Sequence, residues 1–221
     1  PVLTESDYLW SEQAYYRDHA SRFVYAVIDD VDGDGIDEYA YAYRFGGGVF
    51  NGLYRPGYVG LYLSRTFANH GSSSTSANQA LQWAGPNDGA NLRRVYGIDD
   101  VDQDGLGELL MVATGATENF VSVGKAYLYY GSTLNTMSGL VDLSTADKVF
   151  LGTSNLSLSH AANLDVDGDS IKDIVVVYAG YYATSSYDNF VAIYLGANLA
   201  SKPRELTSAD ADLGIYGTSV E

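Results

Sequence analysis

The chain has no cysteine among its 221 residues, which removes disulfides, thiolate zinc sites, iron–sulfur clusters and cysteine nucleophiles together. Positive charge is scarce. Twelve Lys and Arg stand against 28 Asp and Glu, a formal net charge of −16. Nucleic acid and anionic membrane surfaces both need a positive patch, so neither is an expected partner, and cations are. Only three histidines are present, His19, His70 and His160, and only four prolines. No apolar run approaches the roughly 18 residues of a membrane helix; the longest surrounds Ile174 to Ala179. The first residue is Pro1, with no basic-then-apolar leader behind it, which suits a processed chain or a piece of a larger one.

What is present is apolar and aromatic. A hydrophobic fraction of 46%, with 20 Tyr and 24 Gly, suits a folded chain with a sizeable core despite the net charge. Three copies of one acidic pattern punctuate it: Asp30-Val-Asp32-Gly-Asp34-Gly35-Ile36-Asp37-Glu38, Asp100-Val-Asp102-Gln-Asp104-Gly105-Leu106-Gly-Glu108 and Asp165-Val-Asp167-Gly-Asp169-Ser170-Ile171-Lys-Asp173. Their first residues stand at 30, 100 and 165, so the copies are 70 and 65 residues apart. Each is preceded by a short run (Phe23 to Ile28, Arg94 to Ile98, Ser159 to Leu164) and followed by an apolar one (Tyr39 to Tyr43, Leu109 to Ala113, Ile174 to Tyr178). Two further runs recur: Gly57 to Leu63, Gly124 to Tyr130 and Phe190 to Leu195, then Leu81 to Trp83, Val149 to Leu151 and Ile215 to Tyr216. They are β-branched or aromatic and are bounded by Gly, Ser, Asn and Asp, so each repeat predicts four short strands. Helical periodicity is thin; Thr4 to Ala20, Ser144 to Asp147 and Thr207 to Asp210 offer a turn or short helix at most.

The expectation is an all-β single repeat domain of propeller-like, four-stranded antiparallel blades, about three in number. It comprises an N-terminal segment 1–22 with an extra strand and repeats 23–92, 93–158 and 159–221. Repeats of this length suit a propeller blade better than a solenoid coil of roughly 20 to 45 residues.

Oxygen ligands at loop positions 1, 3 and 5, a Gly at 6, a carbonyl at 7 and a carboxylate at 9 wrap one hard cation, and Ca²⁺ takes 6 to 8 oxygens in flexible geometry. Mg²⁺ keeps its own waters, and soft metals want Cys or His. An EF-hand needs a bidentate Glu at position 12, where this chain has Tyr41, Met111 and Val176. A lone Asp-rich stretch reads equally as a surface turn. Three in register, each with four carboxylates, call for a cation.

The Asp-x-Asp-x-Asp-Gly-x-x-Asp/Glu loops, the strands after them and the glycines beyond (Phe45-Gly46-Gly47-Gly48, Gly115, Gly180) resemble the FG-GAP repeats of integrin α-subunit β-propellers and of related bacterial and fungal extracellular proteins and lectins. The resemblance runs from about Phe23 to Tyr216. It implies three Ca²⁺ sites, with side-chain ligands Asp30, Asp32, Asp34 and Glu38; Asp100, Asp102, Asp104 and Glu108; and Asp165, Asp167, Asp169 and Asp173. Carbonyl ligands would come from Ile36, Leu106 and Ile171. Glu at position 9 of the first two loops is a methylene longer than the family's Asp, and Ser170 stands where the turn favours Gly. Integrin-type propellers have seven blades, so self-association or the remainder of a longer propeller would complete this one.

No nucleophile motif accompanies the histidines, and Gly152-Thr-Ser154-Asn-Leu is not a nucleophile elbow. Tyr54 and Tyr58 near Arg55, and Tyr181, Tyr182 and Tyr187, lie in variable stretches suited to a protein or glycan ligand. Asn155-Leu-Ser157 is a glycosylation sequon of low specificity. The expectation is a secreted or surface-exposed calcium-binding module for adhesion or recognition, not an enzyme. The alternatives are the scaffold of an extracellular hydrolase or lyase, or a structural subunit of a surface assembly.

Overall fold

The structure, a computed structural model, describes residues 23–44, 49–50, 53–54, 57–63, 81–84, 92–118, 121–154, 156–180 and 189–217. The N-terminal segment 1–22, the glycines 46–48, Arg55, His19, His70, Asn155 of the sequon, and Tyr181, Tyr182 and Tyr187 lie outside the described residues, as do the side chains of Tyr54 and Tyr58.

The first repeat forms β1 (Phe23–Ile28), β2 (Glu38–Arg44), a small hairpin of β3 (Val49–Phe50) and β4 (Leu53–Tyr54), then β5 (Gly57–Tyr62) and β6 (Leu81–Ala84). The second forms β7 (Leu92–Ile98), β8 (Glu108–Ala113), the hairpin β9 (Thr117–Glu118) and β10 (Val121–Ser122), β11 (Lys125–Tyr129), α1 (Gly131–Leu134), β12 (Gly139–Val141) and β13 (Lys148–Leu151). The third forms β14 (Leu156–Leu164), β15 (Asp173–Gly180), β16 (Asn189–Tyr194), α2 (Gly196–Leu199), β17 (Glu205–Leu206) and β18 (Leu213–Gly217). Every strand expected from the short apolar runs is present, and the protein is all-β. The Ser144 and Thr207 segments carry 3₁₀ turns at Leu143–Thr145 and Ser208–Asp210, capped by the Asp142 and Thr207 side chains.

Three open sheets result, in the orders β1-β2-β5-β6-β12, β7-β8-β11-β13-β17 and β14-β15-β16-β18. The expectation of four antiparallel strands per unit is corrected in the first two sheets. Each takes a fifth, parallel strand from the following repeat: β12 joins β6, and β17 joins β13. These donor strands are two or three residues long and lie in polar connectors, so they carry no alternation to betray them.

The sheets pack face to face. β8 is buried throughout, and its alternating side chains serve both neighbours: Leu109, Met111 and Ala113 face the first sheet, while Leu110 and Val112 face the third. Continuous hydrophobicity, rather than alternation, is what a strand buried on both faces requires. Close packing forces Gly at crossings. A Cβ on Gly97 in β7 would stand 2.0 Å from the Val27 carbonyl of β1, and one on Gly152 would stand 1.8 Å from that of Val123.

Candidate metal centres

Each acidic loop joins the first two strands of its sheet, β1 to β2, β7 to β8 and β14 to β15. The three lie side by side along one edge of the array. Gly107 N–H donates to the Asp30 carbonyl at 3.1 Å, linking loops one and two. Lys172 pairs with Asp99 at 3.5 Å, linking loops two and three.

The loops fold alike because the same side chains organise the same backbone. The first Asp accepts N–H bonds from residues further along its own loop: Asp30 from Gly33, Asp34 and Gly35 at 2.7 to 3.0 Å, Asp100 from Asp104 and Gly105 at 2.9 Å, and Asp165 from Gly168 at 2.6 Å and Ser170 at 3.0 Å. The fifth residue caps the seventh: Asp34, Asp104 and Asp169 accept from the N–H groups of Ile36, Leu106 and Ile171. These turns place positions 4 and 6 in left-handed backbone. Gly fills most of those places, but Gln103 (φ 63°) and Ser170 (φ 73°) do not. A side chain there costs roughly 1 to 2 kcal/mol. The strain at Ser170 follows from the sequence comparison, whereas that at Gln103, position 4, is legible only from the folded loop.

Carboxylate oxygens of Asp30, Asp32, Asp34 and Glu38 lie within 4.8 Å of one another, as do those of Asp100, Asp102, Asp104 and Glu108, and those of Asp165, Asp167 and Asp169. Position 9 divides the loops. Glu38 and Glu108 are buried beneath their turns, and each accepts the N–H of the second loop residue, Val31 or Val101, through Oε2. Asp173 is equally buried but stands outside the third group; its Oδ2 accepts from Val166 N–H at 2.7 Å and its Oδ1 from Gly196 N–H at 2.9 Å. The extra methylene of Glu carries an oxygen into the cluster, and the shorter Asp stays with the backbone.

The second loop is electrostatically demanding. Glu108 Oε1 is fully buried with no hydrogen-bond partner. No Lys or Arg among the described residues pairs with Asp100, Asp102, Asp104 or Glu108. Burial, reinforced by the charges of Asp102, Asp100 and Asp104 and opposed by the Val101 N–H, pushes the Glu108 carboxyl up to about 9. Burial and the neighbouring carboxylates also raise Asp102. Tyr130, its hydroxyl buried without a hydrogen-bond partner, is pushed upward by burial and then by Asp102, Asp147 and Glu108. A divalent cation in the loop would satisfy the orphaned oxygen and cancel the repulsion. The donors present, all hard oxygen, fit such an ion and no soft one.

Of the histidines, only His160 is described. It is exposed on β14, where its Nε2 accepts from Arg94 Nη2 at 2.8 Å across the second and third sheets. That contact joins the second and third repeats. Among the described residues no helix is long and apolar enough to cross a membrane.

No protein-family model matches the chain, and no curated protein is similar to it in sequence.

Proposed function

We propose that this chain is a calcium-binding β-repeat module of the FG-GAP, integrin-like type, whose sheets are the blades of a propeller and whose variable loops bind a protein or glycan outside the cell. The observation that carries the reading is the second loop, where a fully buried carboxylate oxygen with no hydrogen-bond partner stands among three other carboxylates. The hard-oxygen donor set and the loop's flexible size favour Ca²⁺ over Mg²⁺. The repeated loop, the face-to-face sheets and the matching strand order support the blade assignment.

The metal's role in this reading is structural. Each ion pins the turn between the first two strands of a blade, holding adjacent acidic loops together where their charges would otherwise drive them apart. Extracellular modules bind Ca²⁺ as weakly as roughly 10⁻⁴ to 10⁻³ M, so occupancy suits a calcium-rich exterior. Recognition falls to the variable loops, and no chemistry is assigned to the chain.

The test is calorimetric titration of EGTA-stripped protein with Ca²⁺ and, separately, Mg²⁺, followed by thermal melts. Saturable Ca²⁺ binding, stronger than Mg²⁺ binding and accompanied by a raised Tm, is expected. Absence of binding at millimolar Ca²⁺ refutes the assignment.

A further inference from the structure

We propose, resting on the calcium reading above, that Tyr130 belongs to the second metal centre. Its buried hydroxyl donates a hydrogen bond to the carboxylates of Asp102 and Glu108 that hold the ion, a contact for which the first and third repeats have no side chain.

The strand registers place Tyr130 in its repeat. The residue after position 9 of each loop, Tyr39, Leu109 or Ile174, pairs across the sheet with Tyr62, Tyr129 or Tyr194. The next residue along the chain is Leu63 in the first repeat, Tyr130 in the second and Leu195 in the third. The backbone surroundings of the last two match. Tyr130 N–H donates to Asp147 Oδ2 at 2.8 Å, and Leu195 N–H to Asp212 Oδ2 at 2.9 Å. A glycine follows each of them and lies against its own acidic loop. A Cβ on Gly131 would stand 2.4 Å from Leu106 Cβ and 2.8 Å from the Gly107 carbonyl oxygen, and one on Gly196 would stand 2.3 Å from the Lys172 carbonyl oxygen. Positions 7 and 8 of the loop touch this segment in both repeats, so a side chain at position 130 is set beside the second loop.

The second repeat adds one oxygen there. Tyr130 is partly exposed as a residue, yet its hydroxyl is fully buried and has no hydrogen-bond partner. Tyrosine ordinarily does the reverse and keeps its polar tip in water or on a partner. Burial, with the charges of Asp102, Asp147 and Glu108, holds the proton on the phenol, so at neutral pH the group is a donor in need of an acceptor. Asp147 already accepts the Tyr130 N–H at 2.8 Å and the Thr133 hydroxyl at 2.9 Å. Glu108 is 0% exposed, and its Oε1 has no partner. A buried donor without an acceptor and a buried acceptor without a donor thus adjoin one loop, and leaving either unpaired is costly.

A bound divalent cation holds Asp102 and Glu108 as ligating anions. A hydrogen bond from a neutral phenol then fixes their orientation without adding charge to a loop of four carboxylates. The same carboxylates disfavour a phenolate, which argues against Tyr130 as a direct anionic ligand. In the first repeat Leu63, 1% exposed, brings no donor to the loop. In the third, the carboxylate at position 9 accepts from the Gly196 N–H, and Leu195 stands where the phenol would be. The one hydroxyl falls on the loop whose Glu has an unpartnered oxygen.

The experiment is calorimetric titration of the EGTA-stripped full chain with Ca²⁺ for the wild type, Y130F, D104N and the double variant, with thermal melts in EGTA and in Ca²⁺. Y130F removes only the hydroxyl. D104N weakens the second loop's ligand set while its amide oxygen can still accept the Leu106 N–H, and the binding it abolishes identifies the second site. Y130F is expected to weaken that site roughly 10- to 100-fold and to leave the other loops unchanged. In EGTA it should melt no lower than the wild type, because the hydroxyl it loses has no partner there. On the D104N background it should cost nothing further. With Tb³⁺ in place of Ca²⁺, excitation in the tyrosine band should give weaker sensitised emission from Y130F than from the wild type. Equal Ca²⁺ affinity of Y130F and wild type, or unchanged Tb³⁺ emission, overturns the proposal and leaves the calcium reading standing. So does a loss of affinity that persists on the D104N background, or an equal fall of Tm in both buffers, either of which makes the hydroxyl a packing group. A wild type that takes up no Ca²⁺ overturns both.

Discussion

Replacing Glu108 by Gln should change stability in opposite directions with and without calcium. In the metal-free protein the buried carboxyl is pushed up to about 9, so at neutral pH it is protonated in the fold and ionised in the unfolded chain. The fold must therefore take up a proton. From a reference of 4.5 to pH 7, at about 1.4 kcal/mol per pH unit, that costs about 3 kcal/mol. Gln is nearly isosteric, keeps an acceptor for the Val101 N–H and has no proton to take up. E108Q in EGTA should accordingly gain up to about 3 kcal/mol, an upward Tm shift of several degrees for a chain of this size. With millimolar Ca²⁺ the order reverses. The wild type gains binding free energy, while the variant has lost an anionic ligand from its second loop. Differential scanning calorimetry of both proteins in both buffers measures all four terms. Equal destabilisation of E108Q in EGTA and in Ca²⁺ would instead make Glu108 a packing residue whose charge meets no ion.

The same group sets a pH dependence. A carboxyl raised in the fold contributes stability that is fully present below its unfolded value near 4.5 and is lost as pH rises toward about 9; Asp102, raised in the same direction, adds to it. The metal-free Tm should fall across that window, and Ca²⁺ binding at neutral pH should release protons, measurable as a dependence of titration heat on the buffer's ionisation enthalpy. Asp173→Asn should destabilise by about 1 to 3 kcal/mol equally in EGTA and in Ca²⁺, because its oxygens serve the Val166 and Gly196 N–H groups; an effect confined to Ca²⁺ would make it a ligand instead. In urea unfolding, Gln103→Gly should stabilise by up to about 1 kcal/mol by relieving left-handed backbone, and Gly105→Ala should cost about 1 to 2 kcal/mol, since both positions hold positive φ and a Cβ at Gly105 meets nothing within 4 Å.

The acidic loops were legible from the sequence because their structure is local. Asp30 organises residues three to five places ahead of it, and the same bonds recur at Asp100 and Asp165, so a nine-residue pattern contains most of the information the turn needs. The strands were legible too. Runs such as Leu109 to Ala113 and Ile174 to Tyr178 are short, apolar and bounded by turn residues, and they lie in β8 and β15. Position 9 was only half legible. Its spacing marked a carboxylate, but whether that group reaches the cluster turns on one methylene of side-chain length, and the N–H that Asp173 Oδ1 accepts comes from Gly196, 23 residues away.

Composition and local pattern by themselves determined that the chain is a threefold β-repeat with three acidic turns, because strand alternation and Asx-type hydrogen bonds act over a few residues. What tertiary packing adds is that a Glu108 oxygen is buried without a hydrogen-bond partner and that β12 and β17 cross to the preceding sheet. Those are outcomes of packing between segments distant in the chain. Desolvation, and the covering of one sheet by the next, depend on what arrives from elsewhere in the fold, and no window of sequence contains it.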